Sequence, residues 1–290
     1  MRSLLTHALL ASGAALMAFP FLWMVLTALK PDRETRGIPA LTLFPSRWMW
    51  GNFAEAWTSE PFGTYFLNTF IAAGLVTVGV VLTSLLAGYA FARIDFWGKR
   101  VLFGLFLATM MVPFEVVLVP NFLIVTRMKE WLVGGAVSLF GAGAKPPAVT
   151  VAAFGALVVP WLANAFSIFL VTQFFRQLPD DYYDAARLDG CGHWQFVWRI
   201  GAPMVAPALV TAGLFSFLAS WNSLLWPLVV NKPDEAPVIQ VALARLVVAE
   251  QQGFNLLMAA STFTILPVVF LYLVAQRRFI EGVTGTGIKG

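Results

Sequence analysis

The sequence predicts an all-α, polytopic membrane protein with six transmembrane helices. Three observations carry that prediction. Of 290 residues, 59% are hydrophobic and only 12% are charged, about half the charged share of a soluble domain. Mean hydropathy is +0.77. The apolar residues are gathered into long uncharged runs, so lipid rather than water is the solvent for most of the surface.

Six runs stand out: 8–29, 64–91, 101–126, 146–175, 200–231 and 251–276. Each reaches the roughly 20 residues needed to cross ~30 Å of hydrocarbon. The membrane parts of the last three are expected at about 148–175, 205–230 and 254–276. Pro20, Pro113, Pro120, Pro160 and Pro267 should kink the helices that contain them, because each removes a backbone donor. The first run is too long for a signal-peptide core and lacks a small-x-small site before Lys30, so it reads as a retained helix. The whole chain, 1–290, is expected to be one transmembrane domain.

Six crossings place both termini on one side. Segments 1–7, 92–100, 176–204 and 277–290 would share that side and carry ten Lys/Arg, against nine opposite. The short loops discriminate better than the totals. Arg93, Lys99 and Arg100 cluster within one, and Arg277-Arg278 abut the last helix, so the termini are expected in the cytoplasm. On the opposite side, loop 30–63 holds Trp48, Trp50 and Trp57, which suit the headgroup interface. Loop 127–145 ends in a flexible Gly/Ala connector before a stiff Lys-Pro-Pro.

Several function classes drop out. The positive charges, net +4, are dispersed between apolar runs rather than gathered on a face, which argues against nucleic acid. One cysteine, Cys191, excludes an internal disulfide, and two histidines without an HExxH offer no metal set. His7 and His193 read as membrane-surface residues. No GxxxxGK[ST] is present, so the chain should not hydrolyse ATP.

The least lipid-like segment is 176–204. Pro179 stops the preceding helix, Asp180 or Asp181 can cap a new one, and Asp184 lies three residues after Asp181 as in a short capping box. Gly190 can take positive φ and end that helix. A second short helix is expected over 193–200, stopped by Pro203. Ala185 and Ala186 form a small-residue face open to a partner, and Trp194, Phe196 and Trp198 could anchor the second helix at the interface. Spacing alone fits either a docking site or an ordinary interfacial helix.

These residues resemble a known pattern. Asp184-Ala185-Ala186, then Asp189-Gly190, then Ile200, Pro203 and Pro207, are similar to the EAA loop of binding-protein-dependent ABC importer permeases. Asn68-Thr69-Phe70, the stretch from Gly88 to Arg93, Met111-Val112-Pro113, Trp221-Asn222, the stretch from Gln276 to Phe279 and the tail 282–290 resemble the second permease subunit of the carbohydrate (maltose-type) branch along nearly the whole chain. The chain departs from the pattern at Asp184, where glutamate is usual, and at Cys191, where alanine is common.

The resemblance implies a type I ABC importer transmembrane domain in the bacterial inner membrane. It implies a second homologous permease, two ATPase subunits that bind ATP and Mg, and an extracytoplasmic solute-binding protein as partners. Asp184, Ala185, Ala186, Arg187, Asp189, Gly190, Ile200 and Pro203 would then couple to the ATPase. The implied cargo is a mono- or oligosaccharide, with glycerol 3-phosphate or a glycerophosphodiester as the alternative.

Glu115, the one charge inside run 101–126, either faces the solute pathway or makes an interfacial ion pair. Trp221 and Asn222 could stack on and hydrogen-bond a sugar, or simply pack between helices. A secondary transporter would require several midplane acids or an inverted repeat, and neither is visible. An intramembrane enzyme would need a paired catalytic set, also not visible. A scaffold would leave the Asp189-Gly190 elbow without a purpose.

Overall fold

A computed structural model describes residues 2–35, 42–248 and 253–284. Its α-helices, in chain order, begin with α1 (Arg2–Ala28), α2 (Gly51–Ser59), α3 (Phe62–Arg93), α4 (Lys99–Ala108), α5 (Phe114–Phe140), α6 (Lys145–Val158) and α7 (Ala165–Gln177). They continue with α8 (Asp180–Leu188), α9 (His193–Phe196), α10 (Ala202–Met204), α11 (Ala206–Trp221), α12 (Leu225–Val230), α13 (Ile239–Val248) and α14 (Phe254–Thr284). The described residues contain no strand. Residues 251–252, where the sixth apolar run begins, and 285–290, most of the tail, lie outside the described residues.

Among the described residues, three helices are long and apolar enough to cross a membrane unbroken: Leu5–Ala28, Phe62–Arg93 and Phe254–Gln276. Three further candidates are bent pairs. Lys99–Met111 and Phe114–Phe140 meet at 105°, Pro147–Trp161 and Ala165–Gln177 at 50°, and His193–Met204 and Ala206–Trp221 at 80°. The run 101–126 is therefore not one kinked helix. Pro113, held at φ −61° and ψ 144°, caps a new helix nearly at right angles to the old one. Pro20, Pro120 and Pro267 stay inside their helices.

The chain divides into two compact units. One comprises Met1–Phe66 with Ile239–Phe270. Within it, Asn52 Nδ2 donates to the carbonyls of Ala28 (2.8 Å) and Lys30 (2.9 Å), satisfying acceptors that the end of α1 leaves open. Phe263 is edge-on to Trp57 and Phe62, with ring centroids at 5.2 and 5.0 Å.

The other unit comprises Leu67–Val238 with Leu271–Gly290. Here α3 runs against α7. Gly88 makes that approach possible, since a Cβ there would lie 2.8 Å from Val171 Cγ1. Where α6 gives way to α7, the freed carbonyl of Leu162 accepts a hydrogen bond from Thr83 Oγ1 at 2.6 Å. Asn164 caps α7 by accepting from Ser167 N at 2.9 Å. Such side-chain repairs are what allow a break inside an apolar span. The segment after α12 is tied back by Lys129, whose Nζ donates to Val230 O (3.1 Å), Asn231 Oδ1 (3.0 Å) and Glu235 Oε2 (2.7 Å).

Candidate functional site

The segment between α7 and α11 forms two short helices joined at a glycine. Pro179, at φ −56° and ψ 141°, turns the chain out of α7 and is itself the capping residue of α8. No side chain caps that helix, so the expected Asp180 or Asp181 cap and the Asp181–Asp184 box are not formed. The carboxylate of Asp180 is engaged instead by Arg93 Nη1, while Arg93 Nη2 donates to the Leu178 carbonyl. Asp180 and Asp181 remain in the first turn and Arg187 in the last, each at the favourable end of the helix dipole.

The end of α8 is a Schellman turn. Cys191 N donates to Ala186 O at 2.9 Å and Gly190 N to Arg187 O at 3.0 Å. Gly190 sits at φ +79°, as that turn requires. Beyond it, α9 passes into a wider π-type stretch over Val197–Gly201 and continues through α10. Pro203 does not stop the helix. It occupies an early position of α10, where its missing N–H is not needed, and the bend comes at Val205.

The two alanines of the motif face different ways. Ala186 is 4% exposed and packs in a cluster with Leu85, Tyr89, Val171, Phe175, Phe196 and Val197. Ala185 is exposed. Phe196 is part of this core and not an interface anchor, whereas Trp194 and Trp198 are exposed and edge-on at 5.6 Å. Ile200 packs half-buried on the same cluster. Asp184, Arg187, Asp189, Gly190 and Pro203 are exposed. Sequence reasoning missed Leu188, which is 89% exposed at the elbow's tip. It also missed the role of Tyr89, whose hydroxyl lies 2.7 Å from His193 Nδ1, with Tyr183 OH at 3.2 Å from the same atom. His193 is thereby tied to α3 and α8.

The candidate pathway residues do not converge. Glu115 is exposed in the first turn of α5. Trp221 is buried, stacked on Phe217 (5.5 Å) and edge-on to Phe70 (5.0 Å). Asn222 caps the end of α11 and donates to Leu218 O at 2.9 Å. A cavity of about 320 Å³ lies nearby and is lined by none of the three. Phe114, Trp161, Asn164, Ser220, Ser223 and Trp226 contribute to its wall. A second cavity, about 520 Å³, holds the charged groups Lys129, Glu130, Lys232 and Glu235.

Known proteins resemble this chain in sequence and in fold. The family described as binding-protein-dependent transport system inner membrane component matches residues 79–285. The chain belongs to this family, whose members are transmembrane permease subunits of ABC importers and are not themselves enzymes.

Among similar proteins is the arabinooligosaccharides transport system permease protein AraQ of Halalkalibacterium halodurans, 31% identical over 97% of this chain and 96% of the relative. The diacetylchitobiose uptake system permease protein NgcG of Streptomyces coelicolor is 30% identical over 97% and 87%. The sn-glycerol-3-phosphate transport system permease protein UgpE of Yersinia enterocolitica is 29% identical over 95% and 94%. A solved bacterial ABC transporter involved in import of the acidic polysaccharide alginate shares the fold, with TM-score 0.73 at 21% identity over 96% of each chain.

Proposed function

We propose that this permease imports a carbohydrate, and that the exposed face of its elbow is where an ATPase subunit docks. The observation that carries the docking reading is the division of the elbow. Ala186, Phe196 and Val197 root it in the α3–α7 core, while Asp184, Ala185, Arg187, Leu188 and Asp189 project outward. A rooted elbow transmits a push to α7 and α11 without unfolding. In this reading a second homologous permease completes the pathway, two ATPase subunits bind ATP and Mg, and an extracytoplasmic binding protein delivers the solute. Both termini then lie in the cytoplasm on the elbow's side.

The relatives named for arabinooligosaccharides and diacetylchitobiose support the carbohydrate cargo. The relative named for sn-glycerol 3-phosphate supports a second reading at similar identity. The test is copurification and uptake. The assembled importer should retain its ATPase through detergent purification, and Leu188→Asp should release it while the permease stays folded. Retention of the ATPase by Leu188→Asp at the wild-type level would refute the docking face.

A further inference from the structure

We propose that His193 is a positioning residue of the coupling step, fastening the second helix of the elbow to α3 through Tyr89. Movement of a docked ATPase thereby reaches the unbroken span α3 as well as α7 and α11. The assignment rests on the docking reading above and names the residues that set the angle of the docked elbow.

The link between the two elbow helices does not fix that angle by itself. Gly190, at φ +79°, and Gly192 flank Cys191, and glycine leaves a backbone its widest choice of conformation. The Schellman bonds from Gly190 N and Cys191 N close the end of α8. Gly192 N donates to Gln195 Oε1 at 3.4 Å, inside the start of α9. These bonds finish each helix without joining the two.

Side chains make the joint. His193 is the first residue of α9, and its Nδ1 lies 2.7 Å from the Tyr89 hydroxyl on α3 and 3.2 Å from the Tyr183 hydroxyl on α8. Among the described residues, the side-chain hydrogen bonds from α9 to other helices all pass through this one nitrogen. A hydroxyl both donates and accepts, so either imidazole tautomer completes the bond to Tyr89. The Tyr89 side chain is buried, edge-on to Phe175 at 5.6 Å and tilted against Phe196 at 5.8 Å. Such packing sets the spacing of the helices, whereas a hydrogen bond adds direction. His193 itself is exposed, so its replacement removes the bond and little packing.

Tyr89 and Arg93 lie four residues apart, on one face of α3. Arg93 holds the start of α8 through Asp180 and the Leu178 carbonyl, and Tyr89 holds the start of α9 through His193. A single contact would let the elbow swivel about it. Two contacts, one to each helix, fix its orientation on α3. Packed side chains and hydrogen-bond networks of this kind carry displacement between distant sites.

The test uses the complete importer with its binding protein in proteoliposomes, on a Cys191→Ala background. Spin labels are placed at Trp97→Cys, just beyond α3, and Arg199→Cys, on the second elbow helix; both native side chains are exposed. The distance between the labels is measured without nucleotide and after trapping with Mg-ATP and vanadate. ATP hydrolysis stimulated by the binding protein is measured in parallel for His193→Ala, His193→Asn, His193→Gln and Tyr89→Phe. The Asn side chain puts its amide oxygen where Nδ1 lies, and Gln reaches the Nε2 position instead.

We expect one narrow distance, unchanged by trapping, in the unsubstituted protein and in His193→Asn, and a broad distribution in His193→Ala and His193→Gln. Stimulated hydrolysis should fall about fivefold in His193→Ala, His193→Gln and Tyr89→Phe, as loss of one ordinary hydrogen bond gives, and recover in His193→Asn. Tyr89→Phe combined with His193→Ala should be no worse than either alone. Thermal unfolding and ATPase copurification should stay at the wild-type level in His193→Ala. A wild-type distance that lengthens on trapping overturns the joint movement of elbow and α3. Equal behaviour of the Asn and Gln variants, or a loss of activity that tracks a loss of thermal stability, overturns the positioning role. Full stimulation in His193→Ala, with the ATPase still released by Leu188→Asp, overturns that role and leaves the docking face standing. Retention of the ATPase by Leu188→Asp overturns the docking face itself.

Discussion

Arg93, the last residue of α3, is bound to Asp180, the first residue of α8, across 87 positions of sequence. The arginine side chain is only 12% exposed and the aspartate 80%. This asymmetry sets unequal expectations for the two partners. Asp180→Ala removes a pair whose carboxylate is exposed, worth about 0–1 kcal/mol, and leaves Arg93 its bond to the Leu178 carbonyl. Arg93→Ala also strips the Leu178 carbonyl of its donor and removes the tie between α3 and the elbow. Solute-stimulated ATPase activity of the importer should fall little in Asp180→Ala and severalfold in Arg93→Ala. Equal losses would show that the carbonyl contact is idle.

The alanine pair gives a second contrast. Successive helical residues point about 100° apart, so adjacent alanines need not share a face. Ala186→Leu inserts a larger side chain into a packed cluster, at a cost of about 1–3 kcal/mol. Ala185→Leu adds bulk on the exposed side. Thermal unfolding of the detergent-solubilised permease should shift for Ala186→Leu and not for Ala185→Leu. Copurification of the ATPase should weaken for Ala185→Leu. A reversed pattern would invert the assignment of the two faces.

Gly190 offers a third. At φ +79° a β-branched residue is strained, by roughly 1–2 kcal/mol, while asparagine tolerates the conformation better. A Cβ there meets nothing within 4 Å, so backbone conformation and not crowding decides the outcome. Coupling of ATP hydrolysis to uptake should therefore follow the order Gly, Asn, Val. Full coupling in Gly190→Val would remove the elbow's geometry from the mechanism.

How much of this was written in the sequence differs by feature. The elbow was legible because proline, acids and glycine each leave a local signature, and Gly190 lies at the φ its neighbours imply. The break at Pro113 was visible as a proline, but its 105° angle was not. Hydropathy counts charges along a run and is blind to direction, so 101–126 read as one helix. The inward turn of Phe196 depends on Tyr89 and Phe175, from distant helices, and no local pattern reports it. Ser220 and Ser223 disappeared for a related reason. Single hydroxyls scarcely dent an apolar window, and the more conspicuous Trp221 and Asn222 between them drew the eye. The structure puts Trp221 in an aromatic stack and leaves the serines on a cavity.

The Lys129–Glu235 pair yields a pH prediction. Burial pushes the Glu235 carboxyl up, but the Lys129 ammonium at 2.7 Å, with the backbone N–H and charge of Lys232, brings it below the usual glutamate range. A carboxyl whose folded pKa is depressed adds stability above its unfolded value, near 4.5. That contribution is lost as pH falls below about 4.5 through the folded value. Both side chains are mostly buried, at 15% and 17% exposure, so the pair is shielded from salt. Glu235→Gln keeps an acceptor but removes the negative charge, so that Lys129 meets only neutral groups, Val230 O and Asn231 Oδ1 among them. The cost should be about 1–3 kcal/mol at pH 7 and should shrink towards zero in acid, where the wild-type carboxyl is protonated too. Comparing unfolding midpoints of wild type and Glu235→Gln from pH 7 to 3.5 measures this directly. The two curves should converge on the acid side, and parallel curves would mean that the carboxylate's charge contributes nothing to holding the segment after α12.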